Sequence, residues 1–292
     1  MTTALAPKRG GAKPRRTAAF RAPLTGIGLS GQVAFWALVA IALLALLGPL
    51  FVQTDPNAVD LDYAYAPMSP WFPLGADASG RDILTRLIVG SRTALLGPLL
   101  VVTIATVLGT LIGLAAVWFG GWVDAVAVRV IDAIFAFPGI LLAILATALF
   151  GSGLPAAVIA LSIAYMPYIA RVVRSAALRE RNLPYISALR VQGRGGFAIS
   201  ARHILPNVSG LIVANATLCF GWALIDLAAL SFIGFGVQPP TADWGAMVGS
   251  GMAGILQQAP NEALAASALI VITVAAVNTL GDRLVQRSEN RA

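Results

Sequence analysis

The sequence predicts an all-α polytopic membrane protein with six transmembrane helices. Two observations carry that reading. Of the 292 residues, 58% are hydrophobic and 11% charged, and the mean hydropathy is +0.82; a soluble domain carries about 25% charged residues. The apolar residues also gather into runs of roughly 20, enough for a helix to cross a ~30 Å hydrocarbon core. The period-2 alternation of a membrane barrel, in strands of about 10 residues, is absent.

Residues 1–30 form a basic tail rich in Ala, Pro, Gly and Arg, expected to be disordered or to lie on the membrane surface. Residues 31–92 hold the first span, about 32–52, and a polar excursion with Asp55, Asp60, Asp62, Asp77 and Asp82. The first apolar run is long and no convincing cleavage site follows it, so it reads as an uncleaved span. Residues 93–285 form a five-span core, with spans near 93–119, 126–150, 154–175, 207–231 and 263–284. A polar loop at 176–206 interrupts it, as does a Gly-, Pro- and Trp-rich excursion at 232–262. Pro98, Pro138, Pro155 and Pro167 are sites for kinks or span ends. A short charged tail, 286–292, closes the chain.

Six spans put both termini on one side. Lys8, Arg9, Lys13, Arg15, Arg16 and Arg21 lie in the first tail, and seven arginines lie between Arg171 and Arg202. Arg129, Arg283, Arg287 and Arg291 fall on the same side, leaving only Arg81, Arg86 and Arg92 for the other. The positive-inside rule therefore predicts cytoplasmic termini, a cytoplasmic 176–206 loop and two outward excursions. The same distribution explains the net charge of +7 by topology and argues against a nucleic-acid partner, which needs an exposed basic groove or patch.

Several chemistries are excluded. The lysines, Lys8 and Lys13, do not follow a Walker A glycine pattern, so the chain lacks the usual route to ATP hydrolysis. A lone His203 and a lone Cys219 make neither a metal site nor an internal disulfide. Both read as packing residues. Arg129 and Asp132, three apart, are placed to pair on one helix face. Gly109 and Gly113 form a small-xxx-small pattern that permits close helix approach. Asp226 is an acid within the fifth span, and so a candidate for the translocation path or for binding a substrate ammonium; a structural hydrogen bond or a shallow position is the competing reading.

The loop carries its own helix signals. Asn182 can cap, Pro184 suits a first turn, and Gly193 can end the helix in a left-handed conformation. Tyr185, Ile186 and Leu189 share a face. That face can lie on lipid headgroups or dock on a partner.

The stretch Pro184–Asn207 resembles the EAA loop of ABC-importer permeases. It keeps Ala188, Gly193 and the ending His203-Ile204-Leu205-Pro206-Asn207, and departs at Ser187 and Leu189, where the family usually has Glu and Ala. The resemblance continues over roughly 70–285: Pro73-Leu74-Gly75-Ala76-Asp77, Gly80-Arg81-Asp82, Gly120-Gly121-Trp122, Ala136-Phe137-Pro138, then Leu230-Ser231-Phe232 through Gln238-Pro239-Pro240 and Trp244-Gly245. These strings resemble dipeptide, oligopeptide and nickel permeases, specifically the second permease, with one span ahead of a five-span core.

The resemblance implies a type I ABC-importer permease fold in the bacterial inner membrane and a non-catalytic transport subunit. It implies a homologous permease partner, two ATP-binding subunits that hold ATP and Mg, and an extracytoplasmic substrate-binding protein, with no cofactor in this chain. Carried over, Tyr185, Ile186, Ser187, Ala188, Leu189, Arg190 and Gly193 form the ATPase-coupling surface. Asp77, Arg81, Asp82 and Trp244 become candidates for docking the binding protein. Trp71, Phe72 and Trp244 also suit interfacial anchors. The alternatives are a secondary transporter, which needs coupling-ion sites, and a membrane enzyme, which needs a clustered catalytic constellation.

Overall fold

A computed structural model describes residues 28–52 and 54–289. The basic residues of the first tail, and Arg291 of the second, therefore lie outside the described residues. The described chain is helical. Five helices are long and apolar enough to span a membrane, and the bent pair Gly121–Phe135 and Gly139–Phe150 makes a sixth if the two count as one broken span. The elements are α1 (Gly28–Phe51), α2 (Ile83–Phe119), α3 (Gly121–Phe135), α4 (Gly139–Phe150), α5 (Leu154–Arg181), α6 (Pro184–Val191), α7 (Gly196–Ile199), α8 (Leu205–Phe232), α9 (Trp244–Ser250), α10 (Met252–Leu256) and α11 (Asn261–Glu289).

Three boundaries differ from the sequence reading. α2 begins ten residues before position 93, because Asp82 caps it: its carboxylate accepts from Leu84 N at 3.3 Å and Thr85 N at 2.9 Å. The span expected at 126–150 is two helices meeting at 80°. Pro138 lacks an N–H and disfavours helix at Phe137, so the chain breaks there. The span expected from 207 begins far earlier. α7, a π-helical turn at Ser200–Ile204 and α8 run on as one 37-residue helix, Gly196–Phe232. Pro206 has no N–H for the usual bond, and the widened turn just before it bonds Leu205 N to Ser200 O instead.

The bundle has a loop end, which carries α6 and α7, and a cap end, which carries the two excursions. α5 packs along α2, and α8 packs against α2, α5 and α11. The glycine pair sets the first crossing. A Cβ on Gly109 would lie 2.8 Å from Met166 O, and one on Gly113 would lie 2.9 Å from Ala170 O. The main core joins α2, α4, α5 and α8, and includes the buried Cys219. A smaller one, with Ile83, Leu87, Trp244, Met247 and Ala266, sits at the cap end.

α1 lies against α11 and α2. Pro49 removes the N–H that would bond Ala45 O, and Arg92 of α2 supplies the donor: Nε reaches Ala45 O at 2.9 Å and Nη2 reaches Leu46 O at 3.1 Å. α3 is held to α5 by ion pairs. Arg174 grips Asp124 with two 2.6 Å bonds, and Arg171 takes Asp132 at 2.6 Å. The expected Arg129–Asp132 pair is therefore displaced, because the α5 guanidinium reaches the carboxylate directly.

Candidate functional site

At the loop end, α6 presents two opposite faces. Ile186 is fully buried, and Leu189 packs against the main core. Ser187, Ala188 and Val191 face the other way and are exposed. This corrects the expected coupling surface. Ile186 is an anchor with no area left for a partner, and Leu189 is largely committed to the bundle. Tyr185, Ser187, Ala188, Arg190 and Gly193 remain accessible. Two residues absent from the sequence reading enlarge that surface: Val191 is 89% exposed and Phe197 is 87% exposed. They were missed because the apolar spacing that marks a helix face does not say whether the face packs inward or outward.

The loop is braced by contacts between distant positions. Glu180 at the end of α5 accepts from the Tyr185 hydroxyl and from Asn207 Nδ2, and the second bond is 2.6 Å. Asn207 Nδ2 also reaches the Tyr185 oxygen at 3.0 Å. Burial and the nearby Glu180 carboxylate push the Tyr185 hydroxyl up to about 12, so it stays a donor. His203 packs its ring 6.5 Å from that of Tyr185. Trp118, at the end of α2, forms a platform. Arg190 and Arg181 sit over its ring at 5.6 and 6.0 Å, and Arg181 also donates to Val117 O. Gly196 lies against the ring edge so closely that a Cβ there would fall 1.3 Å from Trp118 Cζ2.

Asn182 does not cap α6. It closes α5, and Leu183 stands at the α6 cap position without a side-chain bond. α5 runs on to Arg181, which leaves only two residues between the helices. Pro184 does occupy the first turn, and Gly193 adopts a φ of +75°, as its place after the helix requires.

At the cap end, most docking candidates have structural work. Trp244 is fully buried and donates Nε1 to Leu87 O at 3.0 Å, so it is neither a docking contact nor an interfacial anchor. Asp77 is buried too: it accepts from Ser79 N and Arg81 N, and lies 3.6 Å from Arg86. Asp82 is the α2 cap. Arg81 keeps partial exposure, as does Asp82. Arg86 ties the two excursions together, donating to Pro56 O at 2.9 Å and Pro240 O at 3.3 Å. Gly80 is required where the first excursion folds back. Its φ is +75°, and a Cβ would fall 1.7 Å from Asp60 O. Trp71 is 86% exposed, as an anchor should be, while Phe72 packs against Tyr63.

Asp226 lies six residues before the end of α8, about 9 Å along the helix from its cap-end terminus. It is therefore shallower than a mid-span acid. Its Oδ2 accepts from the Tyr165 hydroxyl of α5 at 2.8 Å. One turn further in, Tyr168 meets Trp222 edge to face at 5.4 Å, and its hydroxyl donates to Asn215 Oδ1 at 2.7 Å. Together these residues form a polar and aromatic seam between α5 and α8. Its sequence signal was Tyr165 and Tyr168 three apart and Trp222 and Asp226 four apart, inside otherwise apolar runs.

Comparison with known proteins agrees with this architecture. Residues 82–292 match the family described as binding-protein-dependent transport system inner membrane component. The glutathione transport system permease protein GsiD of Pectobacterium atrosepticum is 41% identical over 211 residues, covering 72% of this chain and 70% of that protein. A Brucella suis protein, provisionally named a peptide transport system permease, is 37% identical over 252 residues, covering 85% and 83%. The crystal structure of an amino acid ABC transporter with histidines shares the fold at a TM-score of 0.51 and 22% identity, covering 70% of this chain and 94% of that one. The family match begins at the residue that caps α2, and it takes in the five-span core and the loop. The chain belongs to the binding-protein-dependent transport family, as a multi-pass inner-membrane permease with the type I ABC-importer fold.

Proposed function

We propose that the chain imports peptides of the dipeptide, oligopeptide or glutathione class. It does so as one of two homologous permeases, fed by an extracytoplasmic binding protein and driven by two subunits that bind ATP and Mg. The loop end and both termini lie in the cytoplasm, as the basic residues ask. The observation that carries the reading is the exposed face of Ser187, Ala188, Val191 and Phe197. Two large apolar side chains, Val191 and Phe197, stand out from a tightly braced loop. An apolar patch of this kind marks a protein partner. The names of the 37–41% identical relatives support the peptide class.

Val191→Glu tests the docking face. The chain is co-expressed with its partner permease, ATPases and binding protein. The variant should insert and melt like the parent but recover roughly tenfold less ATPase on purification, as loss of a hot-spot contact of about 1.4 kcal/mol or more requires. Leu189→Glu should instead lower the melting temperature, because it drives a charge into the bundle. Full ATPase recovery with Val191→Glu would remove this face from the interface. Failure of a binding protein loaded with dialanine or glutathione to stimulate ATP hydrolysis would count against the peptide class.

A further inference from the structure

We propose that Asp226, with Tyr165, Tyr168 and Trp222, forms a membrane-embedded site for the ammonium group of the transported solute. The proposal rests on the transport reading above and names the chemistry of one contact within it.

A carboxylate within a spanning helix is costly unless a cation or donors satisfy it. Asp226 has one such donor. Tyr165 bonds Oδ2, and no hydrogen bond reaches Oδ1 among the described residues. No guanidinium neutralises it either. The ion pairs among the described residues are Asp77–Arg86, Asp132–Arg171 and Asp124–Arg174. Arg171 and Arg174 are the first arginines on α5 after Tyr165, and both are committed to α3. The carboxylate thus keeps its charge-pairing capacity for something outside this chain.

The surroundings select what that is. Trp222 stands one turn from Asp226 on α8 and is 40% exposed, and Ile225 beside it is 47% exposed. Tyr168 packs edge-on against the Trp222 ring, which fixes the ring while leaving part of its surface free. A carboxylate oxygen beside aromatic surface, with a hydroxyl holding the other oxygen, suits a compact ammonium through charge pairing and cation–π attraction. Every peptide with a free N-terminus carries that group.

The test uses the assembled complex in a Cys219→Ala background, with Ile225→Cys as reporter. The rate of thiol modification by a neutral methanethiosulfonate is measured with millimolar alaninamide, which models a charged N-terminus, or with N-acetylalaninamide, its uncharged counterpart. Alaninamide should slow labelling several-fold and N-acetylalaninamide should not. Asp226→Asn keeps an acceptor for Tyr165 but should abolish protection, whereas Asp226→Glu should retain it. Equal labelling with both amides, or protection surviving Asp226→Asn, overturns the site. Should Asp226→Asn reduce complex yield, Trp222→Leu carries the same test: protection should weaken several-fold, and unchanged protection overturns the aromatic contribution and with it the proposed site. Stimulated ATP hydrolysis by the same complex reports on transport separately. Normal hydrolysis without alaninamide protection removes the ammonium site and leaves the permease reading standing.

Discussion

Trp118 and Gly196 show how narrowly a single position is specified at the loop end. The ring of one fills the space where the other would carry a Cβ. Gly196→Ala should therefore push the α7 backbone off the platform, at a cost of about 1–3 kcal/mol for overpacking. Trp118→Ala should lose the stacking of Arg181 and Arg190 but open the space. The double variant should melt above the sum of the two single losses, since its new methyl group meets no ring. Strict additivity of the melting shifts would show that the two residues do not touch in solution. Neither residue was legible from the sequence, because they lie 78 positions apart and only the fold brings them together.

At the scale of elements, α1 and α2 exchange a missing donor. Pro49 leaves Ala45 O without its helical partner, and the exposed Arg92 fills the gap by donating to Ala45 O and Leu46 O. Arg92→Leu should destabilise the chain more in the parent than in a Pro49→Ala background, where the helix supplies its own N–H. A difference of about 1 kcal/mol is expected from one such bond, read as melting temperature in detergent. Equal losses in both backgrounds would separate the arginine from the proline. The sequence showed Arg92 only as a charge on the outer side. Spans were legible because apolar runs report length. Their ends were less so: α2 starts at a capping Asp82 inside a polar stretch, and α7 continues into α8 through residues that read as loop. The break at Pro138 was visible as a proline, but a proline permits both a kink and a stop, and the 80° angle is seen only in the folded chain.

For the whole molecule, the two ends must lie on opposite sides of the membrane. Ser187 and Thr241 are exposed at the loop and cap ends. Cysteines at those positions, in a Cys219→Ala background, should be labelled by an impermeant reagent from the inside and the outside respectively. Labelling of both from one side would overturn the arrangement. Apolar runs and motif order made the helical, multi-span architecture legible. The candidate site was legible only in part. Asp226 stood out as an acid in an apolar run, while Glu180, Asn207 and the tyrosines that organise both regions are ordinary residues until the helices are assembled.

The helix from Gly196 to Phe232 spans about 55 Å at 1.5 Å per residue. Its first turn rests on Trp118, beside the exposed Phe197, and its last turns hold Trp222 and Asp226. One rod therefore acts as a lever arm, with the π turn at Ser200–Ile204 as its one irregular segment. A tilt of about 5° at one end would carry the other end about 5 Å, close to the 5.4 Å rise of a helical turn. Force applied at the loop end would reach the cap end as displacement, with little of it absorbed by bending on the way.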